Sequence, residues 1–202
     1  MKALIAAVCL VGVTVGCGDD DVVTPPPASP EAIVRSNLRP DSTEGWLYYS
    51  FSGDSVVPAS QAATSAWDVK VAYLQGEGRT RSVDVLFNSG NAGSGTTRAM
   101  VWAGRFEQVT TIPADESFRT EDTAVANRIV PNCVLCPNAI FAYDLISHTI
   151  SPAPDKTVLV RLANGSVVKF QITSIYRDAV AAPTMFTPIG FYHFRWQWLR
   201  KQ

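Results

Sequence analysis

Cys133 and Cys136 are separated by two residues, a spacing that serves disulfides, redox pairs, zinc sites and c-type haem attachment. Attachment of c-type haem needs a histidine next, and Pro137 stands there instead. A structural zinc site needs four ligands, and no second cysteine pair follows. A thioredoxin-like motif opens a helix after a strand, whereas Pro131 and Pro137 bracket this pair as a loop. A short loop-closing disulfide is the expectation. Beside the carboxylates, the other side chains of residues 31–202 able to ligate a metal are the imidazoles of His148 and His193 and the thioethers of Met100 and Met185.

Cys17 carries a different chemistry. Lys2 supplies a short positive start, residues 3–15 form an apolar run, and Gly16 precedes the cysteine. That run is too short to span a bilayer and ends in small residues, so residues 1–16 read as an export signal. A small residue followed by cysteine is the cleavage box of bacterial lipoproteins, which makes Cys17 the expected acylated N-terminus. Thr14 departs from the leucine usual in that box. An ordinary cleaved secretory signal is the alternative. A retained span is disfavoured by Asp19, Asp20 and Asp21, because charge is costly in hydrocarbon. With Pro25, Pro26, Pro27 and Pro30 downstream, residues 17–30 read as a hydrated, extended tether. Its acidic cluster resembles the surface-export signal of Bacteroidetes-type lipoproteins, or serves only to keep the tether hydrated.

Residues 31–202 must then position everything else, and their length suits one domain with a proper core. With 17 basic and 18 acidic residues the chain is nearly neutral, and the basic residues are scattered, which leaves no nucleic-acid footprint. The apolar period is that of strands. Trp67, Val69, Val71 and Tyr73 alternate with polar or small residues, as do Val83, Val85 and Phe87. Val158, Val160 and Leu162 lead through Asn164 and Gly165 to Val168, Phe170 and Ile172, which predicts a hairpin closed by a type I′ turn. Tyr192, Phe194, Trp196 and Trp198 form a last strand, with His193 expected on its solvated side. Residues 96–102 read as a further strand, and residues 122–129 as a short helix at best. The fold class is all-β. The glycine-rich stretch Gly90, Gly93, Gly95 lacks the lysine and the following helix of a phosphate cradle, so it reads as a tight connection or a place of close approach.

Several of these segments together resemble a known family. Trp46, Leu47, Tyr48, Tyr49 and Phe51 followed by Gly53 look like the opening strand of the HmuY-like haem-binding lipoproteins. Trp67, Asp68 and Val69 match a second strand. Asn88, Gly90, Gly93, Ser94 and Gly95 are similar to the family's glycine turn, from which Ala92 and Gly93 depart slightly. Val109, Thr110, Thr111 and Pro113 resemble a further shared segment. Val160, Arg161, Asn164, Gly165, Lys169, Phe170, Gln171 and Tyr176 match the closing hairpin, and residues 191–198 the last strand. The resemblance covers most of residues 44–198. It implies a single antiparallel β domain that, in characterised members, holds haem between hairpin extensions with paired histidine or methionine ligands.

Family ligands fall in the stretch corresponding to residues 114–156, which here offers Cys133, Cys136 and His148. None sits at a family ligand position: His148 lies several residues beyond the expected place, near residues 144–146. His148 is therefore carried as a ligand candidate or a partly exposed strand residue. Met100 is carried as a ligand candidate or a core gap-filler, and Met185 as a loop residue open to either role. No nucleophile elbow or metalloprotease motif is present, and two histidines leave little acid–base capacity near neutral pH. A glycosidase-like carboxylate pair is open, but nothing selects one. The reading is a non-catalytic, lipid-anchored protein of the outer membrane or cell surface, implied by the resemblance to bind haem or haemoproteins for iron acquisition. Its alternative is a lipoprotein of the same fold without haem ligation, acting as a protein- or glycan-interaction module.

Overall fold

The computed structural model describes residues 31–74, 83–90, 92–122, 124–136 and 138–200. Cys17, the export signal and the tether lie outside the described residues. The described chain is all-β: eleven strands, all paired antiparallel, joined by loops and short 3₁₀ turns. The strands are β1 (Ile33–Leu38), β2 (Trp46–Ser50), β3 (Ser55–Val57), β4 (Val69–Ala72), β5 (Val85–Phe87), β6 (Arg98–Ala103), β7 (Phe141–Asp144), β8 (Thr149–Pro152), β9 (Lys156–Arg161), β10 (Val167–Tyr176) and β11 (Ile189–Leu199). Among the described residues no helix is long and apolar enough to cross a membrane.

A five-stranded sheet runs β1-β11-β10-β9-β6, and a four-stranded sheet runs β3-β2-β4-β5. Their inner faces are the alternating residues of the sequence pattern. Tyr49, Val69 and Val71 of the small sheet share one core with Val158, Val160, Phe170, Phe194 and Trp196 of the large one. Edge-to-face aromatic pairs cross this layer: Tyr49–Phe194 at 5.0 Å, Phe51–Phe170 at 5.5 Å and Phe51–Trp196 at 5.4 Å between centroids. Such pairs add about 1 kcal/mol each beyond area burial, so these rings also fix how the sheets sit on one another. Tyr192 Oη donates to Ala72 O at 2.7 Å, a further buried link between the sheets. A separate two-stranded ribbon, β7-β8, branches from the large sheet.

Two expectations need correction, and a third is met in a shorter form. The turn at Asn164 and Gly165 is not type I′: only Gly165 has positive φ (81°), and Leu162 N donates to Ser166 O. Those features define a three-residue loop with glycine in the left-handed position, a more permissive closure that still keeps β9 and β10 in register. The short helix expected within residues 122–129 is a 3₁₀ turn at Val125–Asn127. Trp67 does not share a face with Val69 and Val71. The paired strand begins at Val69, and Trp67 instead packs against Tyr48, Leu86 and Ala92 on the outer side of the small sheet.

Candidate functional site

The glycine-rich stretch closes on the protein itself. Asn88 is fully buried; its Nδ2 donates to Trp67 O (2.6 Å) and Thr64 O (2.9 Å), and its Oδ1 accepts from Gly95 N (2.8 Å). A Cβ at Gly93 would stand 2.3 Å from Asn88 Oδ1, and one at Gly95 would stand 2.7 Å from Asn88 Cγ. The glycines are thus required by a side-chain clasp, and no room is left for a ligand. Two buried carboxylates brace the same region. Asp68 accepts from Phe51 N at 2.8 Å, and Glu121 accepts from Phe87 N (3.3 Å) and Ile129 N (3.2 Å). Burial raises the pKa of each above the ordinary carboxylate value, opposed by those backbone donors.

His193 is buried, not solvated: only 4% of it is exposed, and its Nε2 lies 2.9 Å from Tyr176 O. The physical reason is a register shift in β10 on either side of Ser174, the residue that pairs with His193. The bulge brings the Tyr176 carbonyl over the imidazole and fixes its proton on Nε2, so this ring is occupied as a core donor. Met100 is partly buried on β6 and packs against the cluster of Val109, Phe118, Leu159 and Val167. Cys133 and Cys136 are joined in a disulfide, with Cα atoms 5.5 Å apart, in the loop that leads into β7.

His148 and Met185 are placed differently. β7 and β8 form a hairpin whose four-residue turn, Leu145 to His148, follows Asp144. Asp144 Oδ1 accepts from Ile146 N and Ser147 N, both at 2.8 Å, and these donors lower its pKa. This Asx turn holds the tip, and His148 ends it in the left-handed region at φ 53°. Tyr143 Oη lies 2.7 Å from His148 Nδ1. The partner orients the imidazole and leaves Nε2 free.

The second element is the connection between β10 and β11. Ile150 N donates to Tyr176 Oη at 2.9 Å, while further along β8 Pro152 stands beside Ile172 and Thr173. β8 therefore runs antiparallel along the end of β10, and Tyr176, the last residue of β10, stands between the hairpin it bonds and the connection of residues 177–188 that it begins. That connection carries Met185, 61% exposed, and Phe186, 85% exposed. On the neighbouring tip Leu145 is 74% and Ile146 93% exposed. The two loops that flank Tyr176 thus carry three exposed large apolar side chains, Leu145, Ile146 and Phe186, together with an exposed imidazole and an exposed thioether.

On the outer face of the large sheet lies a groove of about 350 Å³ lined by Arg105, Glu107, Gln171, Thr173 and Arg195 among others. Arg195 is spent there on Glu107 (2.7 Å) and Gln171 Oε1 (2.8 Å). Among the described residues no group of histidine, cysteine and acidic side chains is arranged to hold a metal ion.

The sequence reading missed Tyr143, Leu145, Ile146 and Phe186 as members of one face. Asp144 followed by Ser147 was the available signal for the Asx turn. Nothing local tied that turn to residues 177–188.

No family model and no curated protein matches this chain. The solved structures similar to it include the following three. The apo HmuY analog of Tannerella forsythia is 14% identical, with 86% of this chain and 99% of that chain covered and a TM-score of 0.48. A provisionally assigned lipoprotein of Bacteroides fragilis is 12% identical over 85% of this chain and 90% of that one, with a TM-score of 0.49. A provisionally assigned HmuY-like heme-binding protein of Bacteroides vulgatus is 12% identical over 85% and 92%, also with a TM-score of 0.49. The all-β architecture itself rests on the strand pairing described above.

Proposed function

We propose that this protein is a non-catalytic, exported lipoprotein, anchored through Cys17, that binds haem or a related porphyrin at the end formed by the β7–β8 tip and the β10–β11 connection. The observation that carries the reading is the presence of exposed apolar side chains (Leu145, Ile146, Phe186) with ligand-type groups (His148, Met185) on the two loops that flank Tyr176. The segment resemblance noted from the sequence supports the same assignment. The donor set fits: imidazole and thioether are axial ligands of haem iron, and Tyr143 leaves Nε2 of His148 available. Haem bound there would supply iron as cargo. The protein's part is to shield the macrocycle from water with Leu145, Ile146 and Phe186 and to orient His148 through Tyr143. Met100 fits the ligand role poorly, because it is packed into the cluster under β6.

Anchoring follows from the apolar run ending in Gly16 and Cys17. It places the domain outside the cytoplasm on a membrane, in the outer membrane or cell-surface setting where iron acquisition operates. Cys17→Ala should move the protein from the membrane fraction to a soluble or unprocessed form; wild-type protein found wholly in the aqueous phase of a detergent extraction contradicts the anchor.

The ligand reading is tested by titrating the full chain, in detergent, with hemin under oxidising and reducing conditions. A saturable Soret band is expected, altered in His148→Ala and in Met185→Ala and preserved in Met100→Leu. A flat titration of folded protein removes the haem reading. It would favour the interaction-module alternative, for which the polar groove around Arg105 and Gln171 offers a second surface suited to a glycan or peptide.

A further inference from the structure

Two arginines share one aromatic ring at the foot of the β10–β11 connection. The guanidinium carbon of Arg39 lies 4.9 Å from the centroid of Phe191, and that of Arg177 lies 4.7 Å from it. Arg39 comes from the chain just after β1, and Arg177 directly follows β10. Arg39 also donates a long bond to Tyr73 Oη at 3.4 Å. Arg35, Arg98, Arg128 and Arg195 each have a carboxylate partner. Among the described residues Arg39 and Arg177 have none. The adjacent acid, Asp178, is engaged elsewhere, with Oδ1 accepting from Asn37 Nδ2 at 2.9 Å.

Stacking on an aromatic face holds a guanidinium in place without neutralising it, and leaves its N–H edge free for an anion. Two such groups on one ring repel each other until a carboxylate arrives, and each can then form a charge-assisted bond to it. Their position defines what that anion belongs to. Arg177 precedes, and Phe191 follows, the connection that bears Met185 and Phe186. A ligand that lies on those apolar side chains and reaches back to the foot of the connection meets the arginines, so it needs a flat apolar body with carboxylates at one margin.

We infer that Arg39 and Arg177, held on Phe191, form a carboxylate subsite that receives the acidic edge of a bound tetrapyrrole. This rests on the porphyrin-binding reading above and adds to it a selection for free acids over esters. Residue spacing carries no sign of it, since the two arginines are distant in the chain and neither belongs to a motif.

The experiment titrates the full chain in detergent with hemin and with hemin dimethyl ester, whose side-chain carboxylates are masked. Wild type, Arg39→Gln, Arg177→Gln, the double variant and Arg200→Gln are compared, each checked for fold by circular dichroism. Wild type and Arg200→Gln should bind the free acid at least about tenfold more tightly than the ester, a typical scale for one charge-assisted contact. The double variant should lose that preference while keeping the position of the Soret band. A Soret band with no acid preference in wild type, or a preference intact in the double variant, overturns the subsite alone. No band with either compound overturns the subsite together with the reading beneath it.

Discussion

The glycine-rich clasp and the hairpin end handle polar and apolar groups in opposite ways. Each polar atom of Asn88 faces a protein partner, and the glycines exist to let those partners approach. At the hairpin end apolar side chains face solvent, and His148 is held by a single side-chain bond through Tyr143. A satisfied buried network rigidifies a fold, whereas exposed apolar surface costs free energy until something covers it. The two regions separate what maintains the fold from what is available for recognition.

Breaking the clasp should have the largest effect. Asn88→Ala strands the carbonyls of Thr64 and Trp67 and the N–H of Gly95, and should cost about 3 kcal/mol of stability by urea unfolding. Porphyrin binding by the remaining folded fraction should be unchanged. A cost below about 0.5 kcal/mol, the scale of a neutral surface change, would remove the clasp from the account.

Opening the Cys133–Cys136 link should rank next. Thiol titration of denatured, unreduced protein should find neither cysteine free. Changing both to serine should cost about 2 kcal/mol, the chain-entropy scale for so short a loop. Two reactive thiols would return these cysteines to the list of metal ligands.

Glu121 sharpens the contrast through pH. Burial raises its folded-state pKa, with the donated N–H groups of Ile129 and Phe87 acting against that rise. Between that raised value and the ordinary carboxylate value, the folded state holds a proton that the unfolded state has released. Stability contributed by this group therefore increases as pH falls through that window. The stability of wild type relative to Glu121→Gln should accordingly grow as pH is lowered from neutral into it, and a difference independent of pH would contradict the assignment.

The smallest stability effect belongs to the hairpin end. Leu145→Ser with Ile146→Ser should change unfolding free energy by no more than about 0.5 kcal/mol, because both side chains are already in water. The same variant should weaken hemin binding. A large loss of stability would mean that these residues are covered within the protein itself.

The strands were legible wherever one face is buried, as with Val158, Val160, Phe170 and Ile172, since the core imposes the period of two. His193 was misread because the bulge at Ser174 breaks that period at the very residue in question. The clasp was legible only as glycines. Its partners Thr64 and Trp67 precede Asn88 by 24 and 21 residues, and nothing local links them. The hairpin end was harder still, because β8 is tied to the end of β10 through the bond of Ile150 N to Tyr176 Oη, a contact that composition and spacing do not encode.

The central claim is that recognition occurs at the hairpin end. It is tested most directly by mapping backbone amide shifts in ¹⁵N-labelled protein on addition of diamagnetic gallium protoporphyrin. Perturbations should concentrate in residues 143–150 and 177–191, with residues 88–97 unmoved. Perturbations centred on the glycine clasp or on the groove around Arg105, or their absence at saturating porphyrin, would contradict it.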